Sequence, residues 1–367
     1  MIKFLDLKFQ YSTIKEEVDA AMKNVIDNSA FIGGEEIKNL ERDFAIFQNA
    51  EYCIAVANGT DALEIAIEAL DLPLGSEIIV PANSFISSGE AVTRSGHQVV
   101  FCDCDPENYT IDLESLRKAI TDKTKAVIAV HLYGHPCNMD ELMALAIEKD
   151  LKIIEDCAQA HGAEVHGKRI GAIGHIGAFS FYPGKNLGAY GDAGAILTND
   201  AALAKKSRMI ANHGRIEKYN HIFEGRNSRL DNLQAAVLNV KLKHIENWTE
   251  QRIAVADYYL KELKEVPQIQ LPKRESWARQ VYHLFVIRVA DRDHLKNYLK
   301  ENDIESGIHY PIALPKLQAY KYLGQDEDEF YANKYDSQVL SLPIGEHITL
   351  NDAGRVVSVL KDYFGAK

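Results

Sequence analysis

The sequence predicts an α/β protein: a mostly parallel central sheet flanked by helices, followed by a smaller α+β domain. Three observations point there. Between residues 50 and 200, short apolar runs alternate with helix-period segments. Those runs are apolar throughout rather than at every second position, as expected of strands buried on both faces. After residue 228 the pattern changes to long helices. The expected division is a large domain over residues 1–245 and a small one over 246–367.

The expected strands, in order, are CIAVA (53–57), EIIVP (77–81), QVVFC (98–102), AVIAV (126–130), KIIED (152–156), AFSF (178–181) and AILT (195–198). TDALEIAIEAL (60–70) illustrates the intervening helices. Thr60 is its expected N-cap, Asp61 suits the positive end of the dipole, and Leu63, Ala66, Ile67 and Leu70 form the apolar stripe. Further on, 228–245 and 246–265 read as helices broken near Glu246. YHLFVIRV (282–289), a helix over 294–303 and a C-terminal helix over 349–364 make up the small domain.

Composition narrows the function classes. Lys+Arg 41 against Asp+Glu 53 gives a formal net charge of −12, which opposes nucleic-acid binding. Apolar stretches fall far short of the roughly 20 residues that span a bilayer, and the first residues lack a secretory pattern, so a cytoplasmic protein is expected. The five cysteines, Cys53, Cys102, Cys104, Cys137 and Cys157, form no CxxC pair, so they are expected to be buried thiols with no disulfide framework or metal site.

Three segments carry chemistry. Asn58-Gly59-Thr60 lies between a strand end and a helix start, where backbone N–H groups and the Thr60 hydroxyl can hold a phosphate; an ordinary capped turn has the same residues. Asp156 ends a strand at the edge where open α/β folds bind ligands. It suits a pyridine nitrogen, and equally a helix cap or an ion pair. Glu155, beside it, points to the other face. Lys185 sits in the loop of FSFYPGKNLGAYGDAGAI (179–196), where an enclosed, partly apolar setting would lower its pKa and free its lone pair for an aldehyde. Ser180 could donate to the phosphate, and Gly184, Gly188, Gly191 and Gly194 are expected to supply tight turns. Neither the P-loop nor the dinucleotide glycine pattern fits: Asn186 follows the lysine, and Gly171, Gly174 and Gly177 are spaced GxxGxxG. Phe85 either stacks on a pyridine face or belongs to the core. Together these make pyridoxal phosphate the leading cofactor.

NGT, EDCAQAHG, FSFYPGKNLG and GRNSRLDNLQAA (225–236), in this order, with the FLDL opening and HYPIALPKL (309–317), resemble the DegT/DnrJ/EryC1/StrS family of pyridoxal-phosphate sugar aminotransferases across essentially the whole chain. The resemblance implies the aspartate aminotransferase fold. It also implies that Lys185 is joined to the cofactor aldehyde, Asp156 binds the pyridine nitrogen and Gln159 contacts the ring hydroxyl. Gly59, Thr60 and Ser180 would then hold the phosphate, Phe85 would stack on the ring, and Asn227 would cross a homodimer interface to the phosphate of a shared site.

The loop YPGKNLGAYGDAGA and the stretch 218–231 look like the branch acting at carbon 3 of nucleotide-linked, usually dTDP-linked, 3-keto-6-deoxyhexoses, with L-glutamate as amino donor. A branch acting on UDP-linked 3-keto-hexuronic acids is the nearest competitor, and carbon-4 enzymes are a further one. Members that dehydrate carry His in place of the lysine, which Lys185 argues against. Tyr182, Tyr219, Arg229, His309 and Tyr310 are candidate substrate contacts. A cysteine desulfurase and a cofactor-binding regulator are the alternatives from other classes.

Overall fold

A computed structural model describes residues 1–365. Seven strands form the central sheet: β1 (Tyr52–Val56), β2 (Glu77–Pro81), β3 (Gln98–Cys102), β4 (Thr124–Val130), β5 (Lys152–Asp156), β6 (Ile176–Ser180) and β7 (Gly194–Thr198). Their order is β1-β7-β6-β5-β4-β2-β3. Neighbours from β6 across to β3 are parallel, whereas β7 runs antiparallel to both β6 and β1. All seven apolar runs are therefore strands of one sheet. Successive residues alternate faces: Ile78 and Val80 join one hydrophobic layer and Ile79 the other, all buried. Fully burying one such side chain contributes about 1.5–3 kcal/mol, which is why the runs are apolar throughout.

The first four helices are α1 (Leu7–Asp27), α2 (Glu35–Gln48), α3 (Gly59–Ala69) and α4 (Ile86–Arg94), of which α3 and α4 reach the site. The cap of α3 differs from expectation. Asn58, in extended backbone, is the N-cap, and its side chain accepts from the Asp61 N–H at 2.8 Å. Thr60 lies inside the helix, and its hydroxyl pairs with that of Ser87 at 2.8 Å. Nor is there a single apolar stripe. Ala62 through Ile67 are all buried, because α3 is wedged between the sheet, α4 and the helix Ala201–Ile210, while Leu70 is only partly covered.

The chain then forms helices Asn232–Leu242 and Ile245–Glu262, so the break falls at Lys243-His244 and the expected division at residue 245 is the first residue of the second helix. Strands Phe285–Arg288 and Val339–Leu342 pair antiparallel, and helices Arg292–Glu301 and Leu350–Phe364 cover them. The last helix opens with a capping box between Thr349 and Asp352. Ile2 packs into this C-terminal core, and Val286 and Val339 pack into a layer of the central sheet. No helix among the described residues is long and apolar enough to cross a membrane. All five cysteines are free and buried.

Candidate active site

Strand ends converge on one cavity of about 630 Å3 at the edge of the sheet where the parallel strands finish. Asn58, Gly59 and Thr60 follow β1, Ser84 and Phe85 follow β2, Val130 ends β4, Asp156 ends β5, and Ser180 ends β6. The lysine loop brings Tyr182 and Lys185 over this edge, and the C-terminal residues close it with His283, His309 and Tyr310. Of the expected site residues, ten meet here: Gly59, Thr60, Phe85, Asp156, Gln159, Ser180, Tyr182, Lys185, His309 and Tyr310.

Three lie elsewhere on the same chain. Tyr219 sits at the tip of the exposed hairpin formed by Arg215–Glu217 and Asn220–His221. Asn227 and Arg229 are exposed, the Arg229 Nε donating to Asn227 Oδ1 at 3.0 Å. Arg226 between them and the hairpin is fixed to Glu64 and Glu68 of α3.

Lys185 is the electrostatic centre. Burial lowers its pKa from 10.5 to about 8, against the opposing pull of the Asp156 carboxylate. His309 is pushed down to about 4 by burial and by Lys185. His283 is lowered well below its ordinary value for the same reasons, so both imidazoles are uncharged at neutral pH. His309 Nδ1 pairs with Ser341 Oγ at 2.8 Å, and its ring stacks on Phe4 at 5.6 Å, which gives the FLDL opening a place in the site wall. The Asn186 amide donates to the Val281 carbonyl, so its oxygen faces His283 Nδ1 at 3.0 Å; that nitrogen therefore carries the hydrogen, leaving Nε2 as an acceptor.

Asp156 is buried, and each of its oxygens already has one protein donor: Ser88 Oγ at 2.8 Å and the Ala158 N–H at 3.2 Å. Glu155 turns to the opposite face. There it accepts from the N–H groups of Gly171 and Gly174 at 2.7 and 2.6 Å and pairs with His131 at 3.1 Å. The Cys137 N–H donates to His131 Nδ1, so Nε2 carries a hydrogen and points it at Glu155. The GxxGxxG segment is thus a structural loop folded around a buried carboxylate. A Cβ on Gly177 would lie 2.2 Å from the Gly171 carbonyl oxygen.

Gln159 is engaged at both ends: its oxygen accepts from the Tyr133 N–H at 2.7 Å, and its nitrogen donates to Tyr310 Oη at 2.9 Å. Tyr310 is tilted against Phe85 at 5.8 Å. None of the four loop glycines has positive φ, and their duties differ. Gly184 lies in the turn closed by the Lys185 N–H on the Tyr182 carbonyl at 2.8 Å, as expected. Close approach explains two others: a Cβ on Gly188 would meet the Pro183 carbonyl at 2.3 Å, and one on Gly194 the Asn58 backbone at 2.5 Å.

Sequence reasoning missed Ser84, Ser88, His283 and Arg252. Arg252 lines the cavity from helix Ile245–Glu262, but its guanidinium is committed to Glu346 at 3.1 Å and to the carbonyls of Tyr282, His283 and Ile344.

The cavity fits pyridoxal phosphate. At the start of α3 the Asp61 and Ala62 N–H groups are taken by Asn58, whereas those of Gly59 and Thr60 have no acceptor among the described residues and suit a phosphate. Glycine is required at 59, since a Cβ would come within 2.6 Å of Ser180 Cβ. A buried carboxylate for a pyridine nitrogen and an amine of lowered pKa for an aldehyde lie in the same cavity. All five cysteines lie outside its lining, and burial drives the Cys157 thiol pKa up, opposite to the need of a mobile nucleophile.

Comparison with known proteins agrees. The DegT/DnrJ/EryC1/StrS aminotransferase family matches residues 12–361. A dTDP-3-amino-3,6-dideoxy-alpha-D-galactopyranose transaminase of Aneurinibacillus thermoaerophilus is 44% identical over 363 residues, covering 99% of each chain. The crystal structure of Streptomyces venezuelae DesV in complex with a ketimine intermediate superposes with a TM-score of 0.97 at 40% identity, covering 100% of this chain and 99% of that one. NtdA of Bacillus subtilis, solved with bound cofactor PMP, superposes with a TM-score of 0.92 at 31% identity, over 99% of this chain and 85% of that one. The chain belongs to the DegT/DnrJ/EryC1/StrS aminotransferase family and is a sugar aminotransferase that uses pyridoxal phosphate.

Proposed function

We propose that the protein transfers an amino group from L-glutamate to carbon 3 of a dTDP-linked 3-keto-6-deoxyhexose. The observation that carries the chemistry is the meeting of Lys185 and Asp156 in one cavity, with the amine pKa lowered to about 8. The sugar assignment is supported by the loop YPGKNLGAYGDAGA and by the named activity of the Aneurinibacillus relative.

When bound, pyridoxal phosphate supplies an aldehyde that takes up the amino group and an electron-poor ring that accepts negative charge from the adjacent carbon. Lys185 is the residue that anchors it, and the Gly59 and Thr60 N–H groups, Thr60 Oγ1 and Ser180 Oγ hold its phosphate. Asp156 holds a proton on the ring nitrogen, Phe85 covers the ring face, and Gln159 reaches the ring hydroxyl. Lys185 Nζ, uncharged in a useful fraction at neutral pH, takes the proton from the α-carbon of glutamate and later delivers one to the sugar carbon that gains the amine. Tyr182, His309, Tyr310 and the His283 Nε2 acceptor line the space left for the sugar.

The site is completed by a second copy of the chain. Among the described residues, the cations lining the cavity are Lys185 and Arg252, and Arg252 is already neutralised by Glu346. A nucleotide diphosphate therefore lacks a free basic partner within one chain, while Asn227 and Arg229 stand exposed beside Ile216, Tyr219 and Ile222, a surface suited to a C2 homodimer that shares its sites. The enzyme acts in the cytoplasm on a soluble sugar nucleotide, within deoxy-sugar and polysaccharide biosynthesis.

The test is to reduce the purified holoenzyme with borohydride, map the labelled lysine, and assay dTDP- and UDP-linked 3-keto and 4-keto sugars with glutamate. Label on Lys185 and preferred turnover of the dTDP-linked 3-keto sugar support the reading. Preference for a UDP-linked 3-keto-hexuronic acid moves the enzyme to the competing branch, and label on another amine overturns the mechanism.

A further inference from the structure

Beside Asp156, in the wall of the cavity, stand two hydroxyls that the chemistry above does not use. Ser88 Oγ lies 2.8 Å from Asp156 Oδ2, and Ser84 Oγ lies 2.7 Å from Ser88 Oγ. All three side chains are buried, with 4% exposure at Ser84, 1% at Ser88 and 6% at Asp156. The direction of the chain follows from chemistry. An ionised carboxylate only accepts, so Ser88 spends its single hydrogen on Asp156, and its own oxygen is then supplied by the Ser84 hydroxyl. The sequence of donors is Ser84 to Ser88 to Asp156.

The position of Ser88 adds a mechanical link. It sits in the first turn of α4, whose N-cap is Phe85, and its N–H bonds the Phe85 carbonyl at 3.2 Å. One helical turn therefore carries both the aromatic ring that faces the cavity and the hydroxyl that grips the strand-end acid. With Ala158 N–H on Oδ1 and Ser88 on Oδ2, the carboxylate is held at both oxygens, and its remaining lone pairs are left for the cavity.

We infer that Ser88, backed by Ser84, is a positioning residue that fixes the Asp156 carboxylate and its distance from Phe85, so that ring face and ring nitrogen are met in one geometry. The inference rests on the proposed role of Asp156. Without the Ser88 hydroxyl the carboxylate keeps a protein donor on one oxygen only, and its alignment with the ring nitrogen is lost. The effect is thus read in cofactor affinity and in the spectrum of the bound chromophore, independently of sugar turnover.

The experiment compares wild type, Ser88→Ala, Ser84→Ala and Ser88→Thr, each as full chain stripped of cofactor and titrated with pyridoxal phosphate at neutral pH. The readouts are absorbance of the bound chromophore and the rise in thermal midpoint on binding. Ser88→Ala is expected to bind roughly ten- to hundredfold more weakly at neutral pH, the loss of one hydrogen bond to a buried charge. The absorbance band of its bound chromophore moves from the wild-type position, Ser84→Ala weakens binding less, and Ser88→Thr recovers most of the wild-type affinity and band. Affinity and band unchanged in Ser88→Ala, or a thermal midpoint lowered equally with and without cofactor, overturns the inference and leaves Ser88 a structural residue. If Ser88→Ala does not fold, the Ser84→Ala profile decides in the same way. Failure of the wild type to bind the cofactor sinks the proposed function instead.

Discussion

Lys185 stores a measurable cost in the apoprotein. Burial lowers its pKa from 10.5 to about 8, so holding it protonated in the fold costs about 3 kcal/mol relative to the unfolded chain. At pH 7.5 this leaves roughly a quarter of the amines uncharged, against about one in a thousand for a free lysine. Lys185→Met keeps the volume and removes the charge, so the apo variant should be more stable than wild type at pH 7 by up to about 3 kcal/mol. The gap narrows with pH in a defined window. Between about 8 and 10.5 the unfolded wild type still holds a proton that the folded form has released, so wild-type stability climbs relative to the variant and the gap closes. Urea unfolding of both apoproteins at intervals from pH 7 to 10.5 measures it, and the difference between the two cancels the groups that Lys185 does not influence. A gap that stays constant with pH, or a variant less stable than wild type at pH 7, would refute the argument that desolvation sets this amine's behaviour.

Four further outcomes are expected. Asp156→Asn removes the charge that holds the Lys185 pKa up, so the midpoint for amine modification in the apoprotein, followed by mass spectrometry against pH, should fall below about 8. Glu155→Gln replaces a buried acceptor of two backbone N–H groups and His131, so urea unfolding should show a loss of about 3 kcal/mol, with faster hydrogen exchange at Gly171 and Gly174. Gly59→Ala puts a methyl 2.6 Å from Ser180 Cβ, and calorimetry should find cofactor binding weakened at least roughly tenfold with unchanged helix content. His309, with its pKa lowered to about 4, should stay neutral through pH 5 in imidazole NMR. Its share of stability is lost as pH falls from 6.5 towards 4, where the unfolded chain binds the proton first.

The sheet was legible because its strands are buried on both faces, so Ile78, Ile79 and Val80 all had to be apolar and the run announced itself. Asp156 was legible as the acid closing such a run, and Lys185 as an amine in the enclosed loop that follows one. What stayed hidden depended on partners far along the chain. Arg252 and Glu346 are separated by 94 residues, and the role of Ser88 is visible only once α4 is laid against β5, 68 residues on. The cap of α3 was misassigned by two positions because Asn58 and Thr60 are both good caps, and only backbone geometry separates them. Gly188 and Gly194 were ascribed to turns, whereas neighbouring backbone carbonyls leave no room there for a side chain.

The back-to-back carboxylates of β5 carry a lesson for anyone redesigning this scaffold. Because side chains alternate along a strand, deleting one residue within Lys152–Asp156 would exchange the duties of the pair, burying the working acid among glycine amides and swinging the anchor into the cavity. The exposed turn at 166–168 should tolerate length changes that this five-residue segment does not. Grafts that borrow the pocket must take the strand whole, with Gly171, Gly174 and His131 attached.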